Sequence, residues 1–279
     1  MLNIISAGII ATMSETSTPL QRWLAIETST DALSLALAQG AQVFAYEGEG
    51  AAKSSPHALP QIQRLMQQGQ LQYTQLTAVV FGRGPGAFTA LRTACSLAQG
   101  LALGADIPVL PVDTLMAVAE QARVQLAAVD APSTTATGVM RVLAVLDARM
   151  DQVYSAAYEW RDGVWHEVQA ARVHSPEQLS CPPQWASLKA GQAPKDTMFV
   201  CAGNAWQTYA HRWPTWVEQP VRAMPTAQAL CRLAPALWRL HGGLDPALAL
   251  PLYVRDKVAQ TTAEREQLKA LAGTAGAGA

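Results

Sequence analysis

Phe81-Gly-Arg-Gly-Pro-Gly-Ala-Phe-Thr-Ala-Leu-Arg92 follows the compact apolar run Leu76 to Phe81 and leads straight into a helical pattern from Ala87 to Leu103. The apolar run reads as a strand, so Gly82, Gly84 and Gly86 carry the chain out of a strand and into a helix. Without a Cβ, such a turn can take positive φ and bring backbone close to a ligand or to another stretch of chain. A helix N-terminus also offers unpaired N–H groups that suit a phosphate or carboxylate. The spacing is not the dinucleotide fingerprint, because G-x-G-x-G lacks the G-x-G-x-x-G register, and no Gly-Lys-Ser/Thr follows to make a P-loop. Two readings stay open: an anion site, and a tight strand-to-helix turn with no ligand.

The helix after the glycines carries its own message. Phe88, Leu91, Cys95, Ala98 and Ala102 form one apolar stripe, and Ala90, Ala94, Leu97 and Leu101 form a second beside it. Thr89, Arg92, Ser96 and Gln99 leave only a narrow polar strip. A helix lying on one sheet needs an apolar stripe about 100° wide, and this one is apolar over much more. It is either buried within its own domain or meets a partner with its second face.

Working outward, Trp23 to Thr28 is a short apolar strand, Ser29, Thr30 and Asp31 give a polar turn, and Leu33, Leu35 and Leu37 alternate with smaller residues at period two. Gln42 to Glu47 adds a third strand, which makes an antiparallel meander. Leu59, Ile62, Leu65 and Met66 follow at helical spacing, with Pro60 acceptable if the helix begins near His57. Downstream of the glycines, Ile107 to Val112 is a strand and Thr114 to Val124 a helix. Ala127 to Gly138, rich in Ser, Thr, Pro and Ala, reads as a linker. A second meander then begins with Val142 to Asp147 and Val153 to Trp160, with Gly163 to Val168 as a third strand. Strand Met198 to Ala202 ends in Gly203-Asn204, and helices are expected at Ala205 to Trp213 and Thr226 to His241. The pattern predicts an α/β chain with two related halves: a lobe over 22–126, a linker over 127–139, and a lobe over 140–257 whose last helix or strand packs back on the first.

The chain has 279 residues, half of them apolar and only 15% charged, against about 25% charged in an ordinary globular domain, so a sizeable core is expected. Formal charge is −1, whereas a protein that grips nucleic acid alone carries a basic surplus, so any such role is indirect. Four cysteines at 95, 181, 201 and 231 form no C-x-x-C pair, and Cys95 in an apolar helix reads as a buried thiol of a reducing, cytoplasmic compartment. Leu2 to Ala11 is an apolar run with no Lys or Arg before it and too short to span a bilayer, so residues 1–21 are expected to be an unstructured leader, with a weak export signal as the alternative. Residues 258–279 are expected to form a flexible tail, and no membrane association is expected.

Chemistry-bearing constellations are thin. The five histidines never fall three or four apart, no H-E-x-x-H or G-x-S-x-G occurs, and His57 reads as a cap or surface residue. Glu27, Thr28 and Ser29, with Thr30, could present a carboxylate and hydroxyls to a nucleotide phosphate and its magnesium water. The other reading is a hairpin turn whose hydroxyls bond their own backbone. Asp147-Ala-Arg-Met-Asp151 is a second polar turn after a strand, with Asp147 and Arg149 as an ion pair.

Leu24-Ala-Ile-Glu-Thr-Ser-Thr30, Gly82-Arg-Gly-Pro-Gly-Ala-Phe-Thr-Ala-Leu-Arg92, Ala98-Gln-Gly-Leu-Ala-Leu-Gly104, Asp147-Ala-Arg-Met150 with Val153-Tyr154, and Pro251-Leu-Tyr-Val-Arg255 together resemble the TsaB family. They span residues 23–257, with the glycine segment the most specific and 163–197 only loosely similar. The family usually has Ser where Ala87 stands and Gly where Ala90 and Ala94 stand.

The resemblance implies a two-lobed fold of the actin, hexokinase and heat-shock ATPase type. It further implies a role in making threonylcarbamoyladenosine beside the tRNA anticodon, through a longer catalytic paralogue, TsaD, and an ATPase, TsaE. The paralogue carries two metal-binding histidines on its first helix; here Lys53 and Gln61, four positions either side of His57, complete no pair, so neither metal nor catalysis is expected in this chain. A nucleotide at the partner interface is compatible with the resemblance. The family pairs through helices matching His57 to Gln68 and Ala87 to Leu103, which singles out Leu59, Ile62, Met66, Leu91, Ala94, Cys95 and Ala98 as contact candidates. Glu27, Thr28, Ser29, Gly82, Gly84 and Gly86 are then turn residues or remnants of a phosphate site. Exposed apolar faces would also allow a homodimer of the free chain through the same helices. The alternative reading is a small-molecule kinase or ATPase of the same fold, using Glu27 and the glycine turn.

Overall fold

A computed structural model of the chain describes residues 20–49, 54–129, 138–185, 197–217 and 219–255. The expected tail, all but residues 20 and 21 of the expected leader, and most of the expected linker lie outside the described residues.

In the first half, β1 (Arg22–Glu27), β2 (Ala32–Gln39) and β3 (Gln42–Glu49) form the antiparallel meander, and β4 (Ala78–Gly84) and β5 (Val109–Asp113) add parallel to β1, giving the order β3-β2-β1-β4-β5. The second half repeats it. β6 (Val139–Arg149), β7 (Gln152–Arg161) and β8 (Val164–His174) form a meander, and β9 (Thr197–Gly203) and β10 (Val221–Arg222) add parallel on the far side, giving β10-β9-β6-β7-β8. Two lobes with one strand order match the expected actin-like architecture.

Period-two alternation sorts the side chains by size as well as by face. Leu24, Ile26, Leu33, Leu35 and Leu37 point to the outer face of the first sheet, under α1 (Ser54–Gln68) and α2 (Phe88–Ala105). Ala25, Ala36 and Ala78 point inward, where small side chains let a helix lie close. That helix is α5 (Ala227–His241), which packs on β1 and β2 beside α3 (Thr114–Val129). α3 in turn packs against β6, β7 and β9, so the α3–α5 pair forms the layer between the two sheets, in one continuous core. Thr226 caps α5 by accepting from Ala229 N at 3.1 Å, and Ser34 Oγ of β2 accepts from Ala227 N at 2.9 Å, which fixes that end of the helix on the first sheet.

Several expectations are corrected. Helix α1 begins at Ser54 rather than near His57, so Pro60 lies in its second turn, on the exposed side where water can serve the carbonyl left unpaired. Helix α3 continues to Val129, through the first residues expected to be linker. The helix expected from Ala205 to Trp213 is only α4 (Ala205–Thr208); beyond it Trp213 stacks on Trp206 at 4.4 Å and donates its indole N–H to the Trp206 carbonyl. The two-residue β10 is too short to leave a periodic signal, and β8 runs six residues past Val168.

Candidate functional site

The first turn and the glycine segment interlock. Glu27 is buried, its Oε1 accepting from Ser29 N at 2.6 Å and its Oε2 without a partner among the described residues. Burial pushes its pKa up, opposed by hydrogen bonds from Ser29. Gly82, still in strand β4, lies so close that a Cβ there would fall on Glu27 Oε2. Gly84 has φ +117°, and its Cβ would meet Leu252 O and Leu91 Cδ1, both at 2.8 Å; at Gly86 a Cβ would stand 2.6 Å from Ser29 O. Thr28 Oγ1 donates to Ala90 O at 2.6 Å, and Ala87 N donates to Ser29 O at 3.0 Å. The three glycines therefore admit this chain's own backbone and side chains. Of the two readings, the geometry favours the tight turn.

The equivalent turn of the second half sits across a cleft. The β6–β7 hairpin carries three successive left-handed residues, Arg149 (φ 60°), Met150 (54°) and Asp151 (57°), where such a turn would ordinarily favour Asn and Gly. It is held from all sides. Asp147 Oδ1 accepts from Arg149 N at 2.8 Å and from Tyr209 OH at 2.8 Å, Asn204 Oδ1 accepts from Asp147 N, and Arg212 pairs with Asp151. Tyr209 is pushed up to about 12, first by burial and then by the Asp147 carboxylate. Arg255 donates to the Ala148 carbonyl at 3.0 Å. Arg149 reaches Asp31 of the opposite turn at 2.5 Å, an ion pair that spans the two halves. Between them lies a cavity of about 540 Å³, with Ser29, Asp31, Gly86, Asp147, Arg149 and Arg255 among its lining. Glu27 is not in that lining.

Six of the seven contact candidates are buried in this chain: Ile62, Met66, Leu91, Ala94, Cys95 and Ala98, leaving only Leu59 exposed. Ile62, Met66, Ala94 and Ala98 pack on the outer face of the first sheet, and a segment from Leu244 to Arg255 lies over α2. Leu244 bridges to Val109, Gln99 Nε2 donates to the carbonyls of Pro246 and Ala249 (3.1 Å each), and Cys95 Sγ donates to Ala249 O. Leu252 N donates to Arg83 O, and Tyr253 stacks on Phe88 at 5.1 Å and accepts from Arg92. Gln99, expected in the polar strip, thus works as an anchor for this strap. Among the residues that α1 and α2 leave outside are Leu59, Gln63, Arg64 and Gln67 on one, and Ser96, Gly100, Leu103 and Gly104 on the other. A Cβ at Gly100 or Gly104 would meet nothing among the described residues within 4 Å beyond its own helix turn.

Sequence reasoning missed one Ser–His pair. Ser155 Oγ donates to His174 Nε2 at 2.6 Å, while His174 Nδ1–H donates to the Ser175 carbonyl. The β7–β8 register brings the two residues together, and a bulge there hides the spacing. Ser155 is fully buried, so its hydroxyl meets no substrate. Among the described residues, no three His, Cys, Asp or Glu side chains converge as a metal-ligand set, and no helix is long and apolar enough to cross a membrane.

Comparison with known proteins agrees with this layout. Residues 49–263 match the family described as TsaD, tRNA N6-adenosine threonylcarbamoyltransferase. The tRNA threonylcarbamoyladenosine biosynthesis protein TsaB of Escherichia coli (strain K12) is 32% identical over 247 residues, covering 85% of this chain and 96% of the relative. The protein of the same name from Haemophilus influenzae is 30% identical over 84% of this chain and 94% of its own length. The solved structure of YeaZ from Pseudomonas aeruginosa superposes with a TM-score of 0.70 at 30% identity, covering 84% of this chain and all of that one. With 32% identity over nearly the whole length of one relative and a superposition of TM-score 0.70 on another, the chain belongs to the TsaB family and carries a TsaD-family domain.

Proposed function

We propose that this chain serves tRNA threonylcarbamoyladenosine biosynthesis as a non-catalytic subunit, which binds and positions a TsaD-type transferase through the exposed faces of α1 and α2. The observation that carries the reading is the outer face of α2. Gly100 and Gly104 stand on it with no neighbouring atom among the described residues where a side chain would be, beside exposed Leu103 on the same helix, while α1 exposes Leu59. Helix glycines cost about 1 kcal/mol each relative to alanine, a cost offset where a second helix must approach closely. The buried candidates Ile62, Met66, Leu91, Ala94, Cys95 and Ala98 then act from beneath, by holding the two helices in position.

The relatives' names support the pathway, and the formal charge of −1 supports a subunit that leaves tRNA and a TsaE-type ATPase to the rest of the complex. Without its partner the same face would pair two copies of this chain. The reconstituted reaction tests the reading: unmodified tRNA, a TsaD-type transferase, a TsaE-type ATPase, ATP and threonylcarbamoyl-adenylate, with and without this protein. Product only in its presence is the expected result, and equal product without it overturns the proposal.

A kinase or ATPase reading draws on one observation, the 540 Å³ cleft with Arg149 and Arg255 in its lining. Against it, Glu27 is spent on the Ser29 backbone and Arg149 on Asp31. ATP turnover by the isolated chain would favour this second reading.

A further inference from the structure

A second cavity, of about 270 Å³, lies between α3, α5 and the β7–β8 hairpin. Its charge does not balance. Glu120, 2% exposed, accepts from Arg123 Nε and Nη2 (2.9 Å each), from Arg232 Nε (3.0 Å) and from Trp165 Nε1 (3.0 Å). One carboxylate thus serves two guanidiniums, and no other residue lining the cavity is charged. Arg232 gives its Nη2 to neutral Gln121, and the Nη1 groups of Arg123 and Arg232 make no hydrogen bond among the described residues. Arg123 is half-buried, its side chain 23% exposed, and Arg232 reaches the surface, its side chain 34% exposed, so the surplus positive charge sits where an anion can reach it.

The remaining walls say what kind of anion. Trp160 and Trp165 stand with ring centroids 5.3 Å apart, the Arg123 guanidinium lies over the Trp160 ring at 4.4 Å, and Leu233 and Leu237 complete an apolar side. A cavity with aromatic and aliphatic walls and a few convergent donors is the usual form of a small-molecule site. One surplus charge matches a monoanion better than a phosphate dianion, and guanidinium donors match the planar carboxylate. We propose that this cavity binds a small monocarboxylate with a flat apolar body, an aromatic acid, with its carboxylate on Arg123 and Arg232 and its ring along the Trp160–Trp165 wall. The site is separate from the cleft and from the α1–α2 face, and it does not rest on the function proposed above.

Titration of the full chain with sodium benzoate, followed by the indole N–H signals of Trp160 and Trp165 in 15N–1H spectra, tests it. Benzamide, of equal shape and no charge, and sodium phosphate are titrated in parallel. Benzoate should move both signals saturably, with benzamide at least about tenfold weaker, the range of one charge-assisted hydrogen bond, and phosphate without effect. Arg232→Gln, which removes a guanidinium, and Ala236→Phe, which fills the space and leaves every charge, should each weaken benzoate by a similar factor. Because Ala236→Phe leaves the ion network intact, it decides the matter even if Arg232→Gln unfolds. Absence of a benzoate shift, benzamide binding as tightly as benzoate, a phosphate response, or unchanged affinity in Ala236→Phe would each overturn the proposal.

Discussion

In the first half of the chain the outer face of the sheet is covered by two regular helices, α1 of 15 residues and α2 of 18. In the second half the described residues at the corresponding places supply single turns and the four-residue α4. There Trp185, Trp206 and Tyr209 close over Leu143 and Val145 and are themselves buried. One strand order has thus received two covers. The aromatic cover is finished by its own side chains. The helical cover leaves a regular outer surface with two bare glycines, which is the half that has something to offer a second helix. The repeat accounts for the fold, and the departure from the repeat accounts for the function proposed.

Two glycines near the ends of β4 and β9 give the largest expected effects and the sharpest contrast. At Gly203, φ is +145° and an added Cβ would run into the Val145 backbone, whereas at Gly82 it would meet the end of the Glu27 side chain. Gly203→Ala should therefore cost about 3 kcal/mol or more, and Gly82→Ala about 1–2 kcal/mol, measured as urea midpoints. Equal losses would remove the distinction between a turn sealed by backbone and one sealed by a side chain.

The buried carboxylate comes next. Glu27 has its folded pKa raised above the ordinary value of 4.5, so its contribution to stability is whole below about pH 4.5 and is lost as pH rises through the folded value. Glu27→Gln keeps an acceptor for Ser29 N and carries no such penalty. Its urea midpoint should exceed the parent's near neutral pH, with the gap closing toward pH 4.5. A gap that does not change with pH would mean that burial leaves the ionised carboxylate unpenalised.

Smaller effects belong to the helix start and to the ion pair across the cleft. Ala87 occupies the N-cap of α2 and makes no side-chain cap bond, so Ala87→Ser should raise stability by about 0.5–1 kcal/mol. Asp31→Asn should cost less than about 1 kcal/mol, and less again at high salt, because Arg149 and Asp31 are 67% and 78% exposed. A larger loss would show that the two turns depend on that pair to stay together.

Much of this contrast was legible in the sequence, and the remainder has identifiable physical causes. Leu33, Leu35 and Leu37 alternate cleanly because one face of β2 is packed by larger side chains than the other. The breadth of the apolar surface on α2 was also visible, but its meaning was not. Leu91 and Cys95 are covered by a segment more than 140 residues further along, and no local pattern reveals a strap that binds through its carbonyls. The same holds for Gly82, whose need for a missing Cβ comes from Glu27 in another strand. Ala205 to Trp213 carries a helical composition, yet the Trp206–Trp213 stack and Pro214 end the helix after four residues.

The proposed docking of a TsaD-type partner on the face of α2 that bears Gly100 and Gly104 is open to a direct test in Gly100→Arg. Among the described residues nothing outside its own helix turn stands within 4 Å of a Cβ at Gly100, and an exposed helix gains about 1 kcal/mol when glycine is replaced by a better helix former. The urea midpoint should stay level or rise, while affinity for the TsaD-type transferase, measured by calorimetry, should fall by about a hundredfold or more. Parental affinity with the fold intact would contradict the account.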